Sequence, residues 1–272
     1  MNQTRPDFTS HLPRLITGFI LASIVLCALY FQGLVLLFFV MIISAIALWE
    51  FYSLFWGHNK RIFTRILAIL LGWGMLALTW LHRPQDALVF LGAGFLVAAL
   101  SFLFRWDIGD EAEAFAPGGL FLTGLAYIPL LMLPTTYLGT PKLLFVLCCV
   151  AVSDSAAYYI GTRYGRHKLW PRVSPNKSAE GALGSLLASM LVCAILGVSI
   201  GKAPWWAFLL LGMLLNVFAQ FGDLFESALK RSCEIKDSGI LLPGHGGILD
   251  RMDSLLFALP VFAVVDQWFP FF

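Results

Sequence analysis

Long uncharged runs dominate the chain. No charged residue lies between Arg14 and Glu50. At about 1.5 Å per residue that stretch would make a helix of about 50 Å, whereas the hydrocarbon core of a bilayer is about 30 Å thick. It therefore holds two spans, and Gly33 is the natural break. Apolar runs near 15–32, 34–56, 66–82, 87–105, 117–136, 141–160, 179–200, 204–228 and 254–271 follow one another along the sequence. In lipid every backbone N–H and C=O must be satisfied from within, which an open-ended segment achieves only as a helix. The pattern predicts an all-α polytopic membrane protein of nine transmembrane helices. The fifth carries Pro129 and Pro134 and should be kinked. The chain divides into residues 1–140, with five spans, and a region 141–272 interrupted by two polar loops, 161–178 and 229–253.

Composition sharpens this picture. Of 272 residues 59% are apolar and 12% charged, against about 45–50% and about 25% in soluble domains. One soluble core could not hide so much apolar surface. A net charge of +2 gives no bulk attraction for nucleic acid. Four of the five cysteines lie in apolar runs, where cysteine acts as a small hydrophobe, and their spacing matches neither a disulfide framework nor a zinc site. The first run exceeds a signal-peptide core and reads as a retained span. In alternate loops the basic residues divide 15 to 3; the excess of Lys and Arg marks the cytoplasmic side, which places the N-terminus inside and the C-terminus outside.

An Asp or Lys at a span centre costs about 2.5–3.5 kcal/mol on insertion scales, so intramembrane charges are functional candidates. They are Glu50, Asp154, Asp223, Glu226 and Asp266. Asp266 lies toward the outer side and is expected to reach headgroups; Glu50 is expected to serve a neighbouring helix. Asp154 and Asp223 open onto the two basic loops. Asp223, Glu226, Ser227 and Lys230 share one helix face, and Asp250 and Asp253 are again i, i+3. Two acidic pairs thus flank a loop containing Lys236, Asp237, Gly244, His245, Gly246 and Gly247. Hard oxygen ligands beside bases suggest Mg²⁺ shared with substrate phosphates, while glycines let backbone amides approach a ligand. His245, between glycines, is a candidate for phosphate contact; His167 reads as solvated. The tryptophans at 49, 56, 73, 80, 205 and 206 read as interfacial belts, and Gly181, Gly184, Ser185, Ala188 and Ser189 as a helix-packing face.

The 27 residues from Ser227 to Asp253, with Lys230-Arg231, Lys236-Asp237, His245-Gly246-Gly247 and Asp250-Arg251-x-Asp253 in register, resemble the signature of phosphatidate cytidylyltransferases, also called CDP-diacylglycerol synthases. Gly222-Asp223-Leu-Phe-Glu226-Ser227, Ser174-Pro-Asn-Lys177-Ser178 and Asp154-Ser-Ala-Ala-Tyr158 are similar to segments of the same family, so the likeness covers roughly residues 150–255. Ser178-Ala179 stand where the family has Thr-Trp, Asn176 where it has Gly or Lys, and Ala151-Val-Ser-Asp154 where it has Trp-x-x-Asp. The resemblance implies that CTP and phosphatidate give CDP-diacylglycerol and pyrophosphate with Mg²⁺. It implies Asp223 and Asp250 as metal ligands, with Asp154 and Asp253 as further candidates and room for a second cation. It implies catalytic or phosphate-contacting roles for Lys230, Arg231, Lys236, Asp237, His245, Arg251 and Asp253, and substrate contacts at Ser174, Lys177, Ser227, Gly246 and Gly247. A homodimer in a bacterial-type inner membrane, with membrane lipids as its surroundings, is part of the same expectation.

Two rivals use the same residues differently. A related CTP-dependent membrane enzyme would be either a polyprenol kinase, transferring another part of the nucleotide, or a cytidylyltransferase acting on a different phospholipid. A cation-coupled transporter would place its acids near mid-membrane on broken, repeated helices, whereas this chain gathers acids and bases at one side and shows no repeat.

Overall fold

The computed structural model describes residues 11–57, 60–107, 115–236, 238–239 and 246–272. Among them run α1 (His11–Phe31), α2 (Gly33–Trp56), α3 (Ile62–Trp80), α4 (Pro84–Asp107), α5 (Ala116–Leu125), α6 (Thr140–Tyr164), α7 (Ala179–Ile200), α8 (Trp205–Ser232) and α9 (Leu249–Trp268). Seven segments, namely α2, α3, α4, residues 116–136, α6, α7 and α8, are long and apolar enough to cross a bilayer. The remaining two are α1 and α9, the latter carrying Asp250, Arg251, Asp253 and Asp266.

Each expected span coincides with a helix, and the local reasons are visible. Gln32 and Gly33 adopt positive φ, 50° and 52°, which breaks the first long run in two. Pro129 has no N–H and its ring would clash with the carbonyl four residues back, so the end of α5 widens into a π-helical turn, Ala126–Leu130, before tightening into a 3₁₀ turn at Leu133–Thr136. Gly72 of α3 admits the Pro129 ring, since a Cβ there would lie 3.1 Å from it.

One expectation changes. The helix thought to stop near 160 runs on to Tyr164, and the 161–178 loop contains a small ribbon: β1 (Lys168–Trp170) pairs antiparallel with β2 (Ser174–Ser178). Three residues make too short a strand to show a period-2 pattern, so no periodicity announces it.

Two apolar clusters form the interior. One gathers Leu48, Phe51 and Tyr52 of α2, Leu76 of α3, Phe121 and Leu125 of α5, and Ile128. The other gathers Phe145 and Cys149 of α6, Cys193 of α7, Phe208 and Leu215 of α8, and Phe262 of α9. Leu249 and Leu256, from the start of α9, belong to the first cluster, whereas Leu259 and Phe262 belong to the second. The helix therefore stitches the two together.

Small residues bring α6, α7 and α8 into close contact, as the sequence suggested. Gly181 abuts the carbonyl of Ala157 and the backbone of Gly161, and Gly212 abuts the backbone of Ser189 and Met190. Ser189 donates to the Gly212 carbonyl at 3.0 Å. Asn216 donates to Ser153 (2.7 Å) and Ser185 (3.0 Å), and Gln220 to Ser185 (3.1 Å). This buried network satisfies polar groups that would each be expensive in an apolar interior.

Asp266 pairs with Lys142 at 2.7 Å, a neighbouring ammonium neutralising the carboxylate more cheaply than it could be left alone. One reading is corrected. The tryptophans do not form a uniform belt. Trp205 and Trp206 are exposed, but Trp56 is buried and stacked on Tyr52 at 4.6 Å, Trp73 donates to the Met41 carbonyl, and Trp49 lies under the Arg65 guanidinium.

Gly212→Val should prise α7 from α8, because its Cβ would meet backbone atoms that cannot yield. The expected outcome is a thermal midpoint lowered by several degrees for the detergent-purified protein, with a broadened size-exclusion profile; an unchanged midpoint would contradict this packing.

Candidate active site

Helix α8 has 28 residues, about 42 Å at 1.5 Å each, and so outruns a hydrocarbon core of about 30 Å. Its last turns carry Asp223, Glu226, Ser227 and Lys230 on one face. Gly222 presses against the backbone carbonyl of Asp253; only a residue without a side chain permits this crossing, which sets Asp223 beside the first turns of α9.

Lys230 is the hub of one charge cluster. Its Nζ lies 2.6 Å from Asp250 Oδ1 and 3.4 Å from Glu226 Oε1. Glu226 is fully buried, and its carboxyl also meets that of Asp253. A second cluster forms around Asp223, whose Oδ2 pairs with Lys177 Nζ at 2.5 Å and whose Oδ1 accepts from Ser227 Oγ at 3.3 Å. Asp154, accessible on α6, lies in the shared field of Asp253, Asp223, Lys177 and Arg251. The two acidic pairs and Asp154 thus converge on one end of the α6–α8–α9 bundle.

The ribbon delivers Lys177. Ser178, just after it, caps α7 by accepting from the Gly181 N–H at 3.1 Å, the usual satisfaction of a helix's first free donors. Glu180 then accepts from the Arg166 and His167 amides (3.0 and 3.2 Å) and contacts His167 Nδ1 at 2.6 Å. The ribbon is held against the helix end it precedes.

The start of α9 is secured from far away in sequence. Its flanking Ile248 gives no side-chain cap. The Glu50 carboxylate of α2 accepts instead from the Ile248 N–H (3.1 Å), the Leu249 N–H (2.9 Å) and Ser238 Oγ (3.4 Å). Side chains at Gly239 or Gly247 would collide with it. Glu50 therefore serves a neighbouring helix, as expected, and anchors the loop as well. The sequence offered no sign of its partners, 188 to 199 positions away. Asn216 and Gln220 were also missed, although they stand seven and three residues before Asp223 on the same face.

Asp250 ties the loop to α8. Its Oδ1 takes Lys230, and its Oδ2 accepts the N–H groups of Gly247 (2.8 Å) and Ser238 (3.0 Å). Among the described residues no three His, Cys, Asp or Glu side chains form a ready metal cage. Mg²⁺ needs none: it commonly takes one or two carboxylates and completes its shell with water and phosphate oxygens. Asp223, Asp253 and Asp154 supply that donor chemistry, so the site fits the ion.

The other expected residues are less engaged. Arg231 is exposed and donates to the Ile235 carbonyl at 3.4 Å; Lys236 and Arg251 are exposed; Ser174 is half-buried on β2. Gly246 has φ +80°, a conformation that favours glycine. Asp237 and His245 lie outside the described residues.

A profile of the Cytidylyltransferase family matches residues 12–269. The chain is 34% identical over 260 residues to a protein of Staphylococcus saprophyticus named phosphatidate cytidylyltransferase, covering 93% of this chain and 97% of that one. Identity is also 34%, with the same coverage, to the protein of that name from Staphylococcus epidermidis. It is 32% over 257 residues, again at 93% and 97% coverage, to that from Staphylococcus aureus strain COL.

Glu50→Ala would strand three donors of the α9 cap, at about 1–3 kcal/mol for each buried group left unpaired. Faster tryptic cleavage after Lys236 and a lower thermal midpoint are expected; Glu50→Gln, which keeps one acceptor oxygen, should fall between. Equal cleavage rates in all three proteins would contradict the anchoring role.

Proposed function

The chain belongs to the cytidylyltransferase family, and we propose that it condenses CTP with phosphatidate at the charge cluster where α6, α8 and α9 meet. It is an integral membrane enzyme that produces CDP-diacylglycerol and pyrophosphate. A phosphate oxygen of phosphatidate attacks the α-phosphorus of CTP; the new P–O bond forms as the α–β anhydride breaks, and pyrophosphate leaves. A phosphomonoester is already largely dianionic near neutral pH, so the nucleophile requires no dedicated base. What the reaction does require is neutralisation of charge on three phosphoryl centres.

The observation that carries this reading is the pairing of each ammonium with a carboxylate at one rim: Lys177 with Asp223, and Lys230 with Asp250 and Glu226. Lys177 is placed to exchange a carboxylate for a phosphate oxygen, and the exposed Arg251, Arg231 and Lys236 extend the positive surface toward a triphosphate. Asp223 and Asp253, with Asp154, would hold Mg²⁺, which supplies Lewis-acid neutralisation when bound. Asp250 keeps Lys230 and the glycine loop in place. Asp237, His245, Gly246 and Gly247 fall in that loop and, with Ser174 and Ser227, are taken as substrate contacts on the family likeness. The 15-to-3 division of basic residues supports placing this rim in the cytoplasm of a bacterial-type inner membrane, where CTP is dissolved. The family likeness is the support for a homodimer.

With phosphatidate, Mg²⁺ and CTP labelled at the α-phosphate, label should enter the lipid; with CTP labelled at the γ-phosphate it should leave in pyrophosphate. γ-Label in the lipid would instead make the protein a kinase. Lys177→Met is expected to lower kcat/KM by about 10²-fold, the scale of losing one positioned charge donor, and Asp223→Asn by at least as much, with both variants keeping the wild-type size-exclusion profile. Full activity in Asp223→Asn would remove the metal role from that residue. Added chelator should abolish turnover, and Mg²⁺ should restore it.

A further inference from the structure

The ribbon between α6 and α7 has a feature the reaction does not use. Between Gly161 and Ser178 the chain holds Arg163, Arg166, Lys168, Arg172 and Lys177 and no acidic residue. Lys177 is occupied by Asp223, and Arg163 lies over the Tyr164 ring. Among the described residues Arg166, Lys168 and Arg172 have no carboxylate partner, and all three are exposed. Beside them Leu169 and Trp170 are 39% and 51% exposed, at the tip of a turn closed by the Val173 N–H donating to the Trp170 carbonyl at 3.1 Å. Pro171 stands at the second position of that turn, where its fixed φ is favourable.

The tip cannot rise far from the bilayer. Tyr158, Tyr159 and Tyr164 are exposed on the last turns of α6, where amphipathic rings mark the headgroup level. From Tyr164 the chain folds back at once: the Ala179 N–H donates to the His167 carbonyl at 2.9 Å, and Glu180 holds the amides of residues 166 and 167. Beyond those ties lie three strand residues, which at about 3.3 Å each reach about 10 Å. The headgroup layer on each side of the hydrocarbon is itself about 5–8 Å deep. A Trp-Leu tip flanked by bases and held within about 10 Å of those ties has the chemistry of an interfacial anchor, in which apolar side chains enter the boundary layer while Lys and Arg meet anionic lipid.

We propose that this tip, Lys168 to Arg172 with Arg166, is a seat for the anionic headgroups of bilayer phospholipids. Leu169 and Trp170 dip into the interface, and the three bases meet the lipid phosphates. Because β2 carries Ser174 and Lys177 on the same ribbon, headgroups bound at the tip steady Lys177 against Asp223, and turnover becomes sensitive to the charge of the surrounding bilayer.

The test uses the full-length protein in lipid nanodiscs of phosphatidylcholine with or without phosphatidylglycerol. The difference in emission between wild type and Trp170→Phe isolates Trp170. Brominated lipid should quench that difference signal, more strongly in discs containing phosphatidylglycerol, and Lys168→Gln/Arg172→Gln should abolish the added quenching. Quenching by aqueous acrylamide but not by brominated lipid would overturn the proposal, whatever the enzymatic reaction proves to be. The second arm rests on the function proposed above. Phosphatidylglycerol should raise kcat/KM for phosphatidate by about fivefold, the scale of one base at an anionic surface. High salt and the double substitution should each remove the increase, with the KM for CTP unchanged. A raised KM for CTP in the double variant, seen in phosphatidylcholine alone, would assign the bases to the nucleotide and reject the lipid seat.

Discussion

A buried carboxylate on α2 holds the first turn of α9 in place, and the geometry of the charged rim follows from it. Glu50 is 7% exposed, a position in which an unpaired charge would be prohibitively unfavourable. It is tolerated because the N-terminus of a helix presents free N–H groups and the positive end of a dipole, and Glu50 accepts two of those N–H groups and a serine hydroxyl. Each side removes the other's desolvation penalty. Asp250 follows one residue after the second of those N–H groups, so its direction is set as the cap is set. Through Lys230, Asp250 then fixes the end of α8. A chain of two carboxylates and one ammonium thus joins α2, α9 and α8 across the length of the sequence.

The same logic explains how so many like charges share one corner. Asp223, Glu226, Asp250, Asp253 and Asp154 would repel one another across a few ångströms of poorly screened space. Lys177 and Lys230 are interleaved among them, and each is close enough to a carboxylate to count as its counter-ion. The arrangement resists removal of Lys230, whose loss would leave the fully buried Glu226 without its counter-ion. It also leaves more negative than positive charge at the centre and more positive charge at the exposed margin, where Arg231, Lys236 and Arg251 stand. The field of the rim is therefore negative at its centre and positive at its edge.

What the sequence made readable and what it concealed separate along a physical line. Span positions were legible because lipid imposes one rule on every residue of a span, and Gly33, Pro129 and Pro134 announce their departures from it locally. The acidic face of α8 was legible because a 3.6-residue period places Asp223, Glu226, Ser227 and Lys230 together without reference to any other helix. Partner identity was not. Nothing near Glu50 points to Ile248 and Leu249, nothing near Lys142 points to Asp266, and the contacts of Asp250 with Gly247 and Ser238 are backbone contacts that no side-chain pattern reports. Trp56 was read by its position near a span end, yet it is buried and stacks on Tyr52 one turn earlier in α2. The ribbon was hidden for a different reason: its strands are too short to carry periodicity, and its stability comes from Ser178 and Glu180 at the start of the next helix.

The length of α8 accounts for the placement of the chemistry. A helix that stopped at the hydrocarbon boundary would leave Glu226 and Lys230 in a loop, free of each other. One that continues for further turns carries them outward on a rigid rod, spaced by the helical period and still packed against α9 through Gly222. The polar steps along that rod, Asn216, Gln220 and Asp223, run from the buried Ser153–Ser185 network up to the open rim. Asn216 and Gln220 donate to serines of α6 and α7, and Asp223 meets Lys177 of the ribbon, so α8 passes from an apolar interior to a charged mouth with partners for its polar side chains. How far the helix protrudes thus sets the level at which its charged face opens.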